Sequence, residues 1–476
     1  IGRLTTVTDT DTGTIQYVYS NTGCALGCGG GAADKIIQEI TSLGSISYIY
    51  DAIGRRTNMT VAGQPTVNYG YDNDSRLTNL VIASGAWQSL SFGFAYDAIG
   101  RRTTLSLPNG VITNYSYDND SNLLNIESLN PLDAILEKVN YVYDKNGNRK
   151  SMDRLNVPVK LPNPTSNITY NSANQMLTFN NKNMTYDENG NMTSVTNSCG
   201  ITNYTWDARN RLTAINGFNA DCSSLTASFK YDALGRRIEK TINGKTIQYL
   251  YDGLDITQEI ENGTVTVNYV RTLNIDEPLA RIKSDGTIRY YQADALGSII
   301  ALTDENGVIK TQYSYDPFGN VSISGEVSDN PFQFAGREND NTGLLFERNR
   351  YDSLELNRYI SPDPIGLAGG DINFYVRVGN SPTNWIDPEG LQAEALTCGW
   401  GIALAEPTPI GETIMTVITI GVIGYELYAK RDSDENIKGG HDKNKRRGTK
   451  DKHERGDSRR KKDQHRDEKG DKRRPY

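Results

Sequence analysis

Tyr50-Asp51-Ala52-Ile53-Gly54-Arg55-Arg56 returns unchanged at residues 96–102 and, with leucine for isoleucine, at 231–237. The first two residues recur more often still, at Tyr71-Asp72, Tyr117-Asp118, Tyr143-Asp144, Tyr186-Asp187, Tyr251-Asp252 and Tyr315-Asp316, with Trp206-Asp207 and Tyr170-Asn171 as variants. The first steps are 21, 25, 21 and 26 residues. A period of this length marks a repeat architecture. Each unit opens on a stretch rich in β-formers, such as Ser45-Ile46-Ser47-Tyr48-Ile49-Tyr50, which predicts a strand. The aspartate then offers its carboxylate to the backbone amides of a turn. The glycine three residues later takes a positive φ that other side chains resist. A second strand returns from the arginine or asparagine. One such hairpin cannot bury both faces alone, so the units must stack edge to edge into a long sheet. On this reading the Tyr-Asp pairs are turn and packing devices, not catalytic dyads.

Composition agrees. The chain has 476 residues, with 45 glycines, 28 tyrosines and 37% hydrophobic residues, which suits short strands and glycine turns better than a helical bundle. There is no run of 18 apolar residues, which argues against a standard membrane-spanning helix. The chain starts at Ile1, and the expectation is a piece whose export signals, if any, lie upstream. The net charge of −8 is unevenly spread. Residues 430–476 carry 19 Lys/Arg and 11 Asp/Glu, a net of +8, and hold all three histidines, His441, His453 and His465. The other 429 residues sum to −16. A basic tail on an acidic body predicts a nucleic-acid, membrane or acidic-protein partner for the tail.

Five cysteines over this length make no disulfide scaffold. Cys24 and Cys28 lie in a glycine-rich stretch with no histidine near, so incidental loop cysteines are favoured over a metal clip; no metal site or cofactor is expected. Cys199 and Cys222 flank one repeat and are able to pair in an oxidising compartment, but the spacing does not decide it.

The repeats resemble the YD repeats of RHS proteins, teneurins and Tc toxin C components, over residues 1–345. The resemblance implies an all-β fold, a spiral of YD-repeat hairpins forming part of a hollow shell. After the last repeat comes a different text: Pro331-Phe332-Gln333-Phe334-Ala335-Gly336-Arg337-Glu338, Arg350-Tyr351-Asp352, Arg358-Tyr359-Ile360-Ser361-Pro362-Asp363-Pro364-Ile365-Gly366-Leu367, and Asp387-Pro388-Glu389-Gly390-Leu391. It closely resembles the RHS repeat-associated core, assigned here to 346–391, and Pro382 to Leu391 matches the family's signature at a self-cleavage site. Leu354-Glu355-Leu356-Asn357 departs from the Thr-Gly-Arg turn usual before Arg358. The resemblance implies cleavage between Leu391 and Gln392. The chemistry is plausible without it. Two carboxylates held close cannot both ionise easily, so one acid and one base coexist and can activate a water. Asp363 and Asp387 are the pair, each fixed by a following proline, and Arg358 is the candidate for orienting a carboxylate. The competing reading makes both boxes plain turns.

Residues 392–429 are the most apolar part. Thr413 to Tyr425 spans thirteen residues, too short for a bilayer as a helix, and is read as a pre-toxin segment, buried or translocating. Residues 430–476 offer only Ile437 and Tyr476 as large hydrophobes, so the end module should be small and partly disordered or helical. It resembles the short basic C-terminal modules of polymorphic toxins. A nuclease, RNase first, would use His453 with Glu454, and His465 with Asp467, as acid–base groups among phosphate-binding Lys and Arg; whether it needs a divalent metal is open. Three readings of this end stay open: nuclease, non-catalytic nucleic-acid or acidic-partner tail, and membrane-acting segment. For the whole chain, the reading is a secreted RHS-type toxin from a bacterium, with effector delivery to a target-cell cytoplasm. An immunity protein, RNA, the secretion machinery and cell-surface carbohydrate are the expected partners. The rivals are a structural or adhesive cell-surface YD-repeat protein with a non-catalytic tail, and an enzyme-free delivery cage.

Overall fold

Thirteen consecutive strands, β1 (Thr6–Asp9) to β13 (Arg149–Arg154), form one antiparallel sheet in which every strand pairs with its neighbours in sequence. Sixteen more, β14 (Thr169–Tyr170) to β29 (Val321–Gly325), form a second sheet of the same kind. The computed structural model describes residues 3–20, 35–83, 89–155, 157, 160–162 and 164–391, with the backbone of 394–395. All lie in the first of the two units into which the chain divides, Ile1–Thr419 and Ile420–Tyr476. Among the described residues there is no α-helix, only three 3-10 turns. Cys24, Cys28, Cys398, the 413–425 segment and the basic tail lie outside them.

The repeat turns work as their residues dictate. Asp51 Oδ1 accepts the amides of Ile53 (3.1 Å) and Arg55 (2.9 Å), and its Oδ2 accepts Arg55 Nε at 2.7 Å. Gly54 sits at φ +91°. Asp97 with Arg101 and Asp232 with Arg236 repeat the pattern. The tyrosine reaches backwards. Tyr50 Oη donates to the Ile36 carbonyl, Tyr71 to Arg56, Tyr96 to Leu77 and Tyr117 to Arg102, at 2.7–2.9 Å, so each unit is latched to the one before. The first arginine also lies over the tyrosine of the next unit: Arg55 over Tyr71 and Arg101 over Tyr117, at 4.8 and 4.7 Å.

The second arginine of the full motif does something the sequence does not announce. Arg56 pairs with Asp252 and Arg102 with Glu277, both across to the second sheet. Arg237 leaves its own sheet for Glu338 (2.7 Å) and Asp340, in the stretch that leads into the core. Apolar packing follows the same seams. One cluster joins Ile46, Leu80 and Phe92 of the first sheet to Leu250, Ala280 and Tyr290 of the second. Another joins Met184, Leu212 and Phe229 of the second sheet to Leu344, Phe346 and Tyr351 of the core. Cys199 and Cys222 are disulfide-bonded, with 5.1 Å between their Cα atoms, which ties two neighbouring hairpin turns.

Candidate active site

Four short strands carry the site: β30 (Glu338–Asn339), β31 (Leu344–Glu347), β32 (Arg350–Ser353) and β33 (Arg358–Tyr359), paired in sequence order. All their residues are buried on both faces, charged ones included. A two-residue turn at Arg348-Asn349, with Arg348 at φ +53°, sets Glu347 opposite Arg350. Trp385–Ile386 forms a further strand, β34, beside the second box, paired with β35 (Glu394–Ala395).

Both Asp-Pro boxes are turns. In the first, Asp363 Oδ1 accepts the Ile365 amide at 3.0 Å and Gly366 takes φ +56°. In the second, Gly390 sits at φ +68°, and a Cβ there would come within 2.1 Å of the Glu347 carbonyl oxygen, so only glycine lets this turn lie against β31. The turns also bring both carboxylates to one cation. Arg350 Nη1 lies 3.0 Å from Asp363 Oδ2, and its Nη2 lies 2.8 Å from Asp387 Oδ2. Its Nε donates to the Gly390 carbonyl at 2.5 Å, and the guanidinium stacks 3.7 Å over the Tyr359 ring.

The expected cleavage point lies in the same place. Asp387 Oδ1 accepts the Leu391 amide at 2.9 Å. A Cβ on Gly369 would lie 2.6 Å from Asp363 Oδ2 and 2.9 Å from the Leu391 carbonyl oxygen, so both oxygens flank a single point. Beside it, Arg350, Asp363, Gly369 and Asp387 help to line a cavity of about 20 Å³, room for one water. Burial raises the Asp363 carboxyl above its ordinary value; Arg350 and the Ile365 amide oppose this, and the Asp387 charge adds to it.

Arg358 does not take the part expected of it. Its Nη2 donates to the Asn174 carbonyl at 2.7 Å, and its guanidinium stacks on Tyr170 and Tyr375, at 5.2 and 5.0 Å. It fastens a repeat turn of the second sheet to the core, while Arg350, eight residues earlier, bridges the aspartates. Sequence reasoning also passed over Glu347, Tyr359 and Arg377. Tyr359 Oη contacts Asp387 Oδ2 at 2.8 Å and also Glu347, which takes Arg377 Nε at 2.8 Å on its other oxygen. The available signal was charge on a four-residue strand with no exposed face, at Arg350 and Asp352. His453, Glu454, His465 and Gln392 lie outside the described residues. Among the described residues no cluster of His, Cys, Asp and Glu is set to hold a metal ion.

Comparison with known proteins fits this architecture. The family described as Teneurin YD-shell matches residues 37–368. The tRNA nuclease WapA of Bacillus subtilis strain 168 is 34% identical over 262 residues, which is 53% of this chain and 11% of the relative. The double-stranded DNA deaminase toxin A of Burkholderia cenocepacia is 27% identical over 341 residues, 63% of this chain and 22% of the relative. The chain thus spans about a tenth to a fifth of the length of these curated relatives. The crystal structure of TcdB2-TccC3 superposes with a TM-score of 0.60 at 18% identity, over 80% of this chain and 24% of that one, a likeness of fold. With well over half of its residues matched, the chain belongs to the teneurin YD-shell family of RHS/YD-repeat proteins.

Proposed function

We propose that this chain is part of an RHS-type polymorphic toxin, in which a β-shell encloses an effector freed by hydrolysis of the Leu391–Gln392 peptide. The observation that carries this reading is that Asp363 and Asp387 converge on Arg350, with the Leu391 amide on Asp387 and the Leu391 carbonyl oxygen flanking the same point at Gly369 as the Asp363 carboxyl. Asp363, raised by burial, is the acid, its carboxyl flanking the same point at Gly369 as the scissile carbonyl oxygen. Asp387 accepts from the Arg350 guanidinium and the Leu391 amide and is the base. A water gives one proton to Asp387 and its oxygen to the Leu391 carbonyl carbon, while Asp363 protonates the carbonyl oxygen. The C–N bond then breaks as the Gln392 nitrogen takes the proton from Asp387 and one hydroxyl on the tetrahedral carbon returns its proton to Asp363. The products are a Leu391 carboxyl and a Gln392 amine. Within this reading 1–345 is the repeat shell, 346–391 the cleaving core, 392–429 the pre-toxin segment and 430–476 the toxin module.

The effector is read as a nuclease, with RNA the favoured target. Relatives named as a tRNA nuclease and a DNA deaminase support a nucleic-acid target, as does a +8 tail that holds every histidine. His453, Glu454 and His465 are its proposed acid–base groups. A matching immunity protein and delivery machinery, a secreted location and entry into a target cell belong to the same proposal. Intact mass of the purified chain tests its centre. An 85-residue fragment beginning at Gln392 is expected, and Asp363→Asn or Asp387→Asn should leave the chain whole. Normal cleavage in both variants would remove the aspartates from the mechanism.

A further inference from the structure

The Tyr359 hydroxyl lies within hydrogen-bond distance of two carboxyls at once, Glu347 Oε2 and Asp387 Oδ2. A phenol has one hydrogen and can donate it to only one of them. The other contact is attractive only if a carboxyl carries a proton and donates it to the phenol oxygen. The phenol keeps its own hydrogen, because burial first, and then the charges of Glu347 and Asp387, push Tyr359 well above its ordinary value.

The surroundings ask for protons as well. Glu347 and Asp352 both face Arg377, whose Nε lies 2.8 and 3.4 Å from them, and Arg350 also acts on Asp352. Asp363 and Asp387 share Arg350. Four carboxyls thus meet two guanidiniums in a network where no side chain is more than 8% exposed. Surplus negative charge is costly in such a place. On one flank Asp352 is pushed up to about 7 by burial, with Arg377 opposing and Glu347 reinforcing. On the other, Glu389 faces Asp387 and is raised by burial against the pull of Arg348.

We propose that Glu347, Tyr359 and Asp387 share one proton, and that Tyr359 is a positioning residue through which Glu347 holds Asp387 in its role as base. This rests on the reading of Leu391–Gln392 as the scissile bond. With the proton on Glu347, its hydroxyl donates to Tyr359 and Tyr359 donates to Asp387. The donors to Asp387 then include Arg350, the Leu391 amide and Tyr359. When the shared proton leaves, Tyr359 turns to the ionised Glu347. Asp387 loses a donor and faces a bare phenol oxygen. Cleavage therefore falls as rising pH withdraws the shared proton.

Glu347→Gln separates this from a structural role. Its amide oxygen can accept from Arg377 while its amide N–H donates to Tyr359, which reproduces the protonated acid and cannot ionise. The full chain, solubilised in denaturant, is diluted into buffers from about pH 5 to about pH 9, and release of the fragment starting at Gln392 is timed by mass. The wild type should slow on the basic side, Glu347→Gln should lose that fall, and Tyr359→Phe should cleave at least ~10-fold more slowly with a flatter profile. A Glu347→Gln profile that overlays the wild type overturns the proposal, as does Tyr359→Phe cleaving like wild type at every pH. If Tyr359→Phe lacks a native melting transition, Glu347→Gln decides alone by the same criterion. A wild-type chain uncut at every pH refutes the cleavage reading itself, and this proposal with it.

Discussion

The repeat turns and the two Asp-Pro boxes are built from the same part, an aspartate followed three residues later by a glycine with positive φ. In the repeats the aspartate is used up locally. Asp97 gives one oxygen to the amides of Ile99 and Arg101 and the other to the Arg101 side chain. In the core the fourth position after each aspartate is a leucine, Leu367 or Leu391, not an arginine, so the second oxygen is left to reach elsewhere. It reaches Arg350, on another strand, and so does its counterpart from Asp387. One kind of turn therefore makes a scaffold when its charge is neutralised within five residues, and a reactive pair when two such charges must share one cation.

The sharpest way to break this comparison is at the shared cation. Arg350→Lys keeps the charge but loses the fork that holds both carboxylates and the Gly390 carbonyl together. Misplacing groups by about 1 Å costs roughly 100-fold, so release of the Gln392 fragment should slow by about that factor or more, timed by mass. The same exchange at Arg101, which serves one local aspartate, should leave the rate within about threefold. Equal rates in the two variants would dissolve the distinction between scaffold turn and reactive pair.

A second test lies within one motif. Arg101 and Arg102 are adjacent and alike in sequence, but Arg101 is 20% exposed beside its own turn, whereas Arg102 is 2% exposed against Glu277 in the other sheet. Removing one partner of a buried pair strands the other charge and costs about 3–5 kcal/mol; loss of a partly exposed pair costs about 0.2–1 kcal/mol. Arg102→Ala should therefore lower the denaturant midpoint far more than Arg101→Ala. Equal losses would mean that the sheets do not depend on these cross-links.

What the sequence disclosed follows the same division. Hairpins, turns and the role of each Tyr-Asp unit were legible because their partners lie two to five residues away and recur. The latch from Tyr96 to the Leu77 carbonyl, 19 residues back, is one repeat distant and is visible only as a period. Arg102 with Glu277 is separated by 175 residues, and nothing local distinguishes it from Arg101. The aspartate pair came from the resemblance of its boxes. Their turn geometry alone reads equally well as structure, and the structure shows that they are turns too. Arg350 was missed in favour of Arg358 because both stand in short strands beside a tyrosine. Which of them faces the boxes depends on how β31 and β32 pair and on where the Asn174 turn docks, and neither is written locally.

The smallest expected effect is also the one that separates the two kinds of aspartate by sign. Burial by itself would raise Asp51, Asp72 and Asp97, but hydrogen bonds from Arg55, Arg76 and Arg101 and from the turn amides bring all three below their ordinary value. Their stabilisation is complete above the unfolded value of about 4 and is lost as the pH falls through the lower folded values. Asp363 is shifted the other way, chiefly by burial. Its contribution is complete below about pH 4 and is lost as the pH rises through its folded value. Melting followed by strand signal on Asp387→Asn should show a midpoint that drops by a few degrees in acid below about pH 4. Adding Asp97→Asn should shrink that acid drop, because one lowered carboxyl is gone. Adding Asp363→Asn should leave the acid drop in place and lessen the decline above about pH 4, because the carboxyl it removes is the one that loses stability upward. If both substitutions blunt the acid side alike, then Asp363 behaves as a repeat-turn aspartate and the division between scaffold and site fails where the charges are concerned.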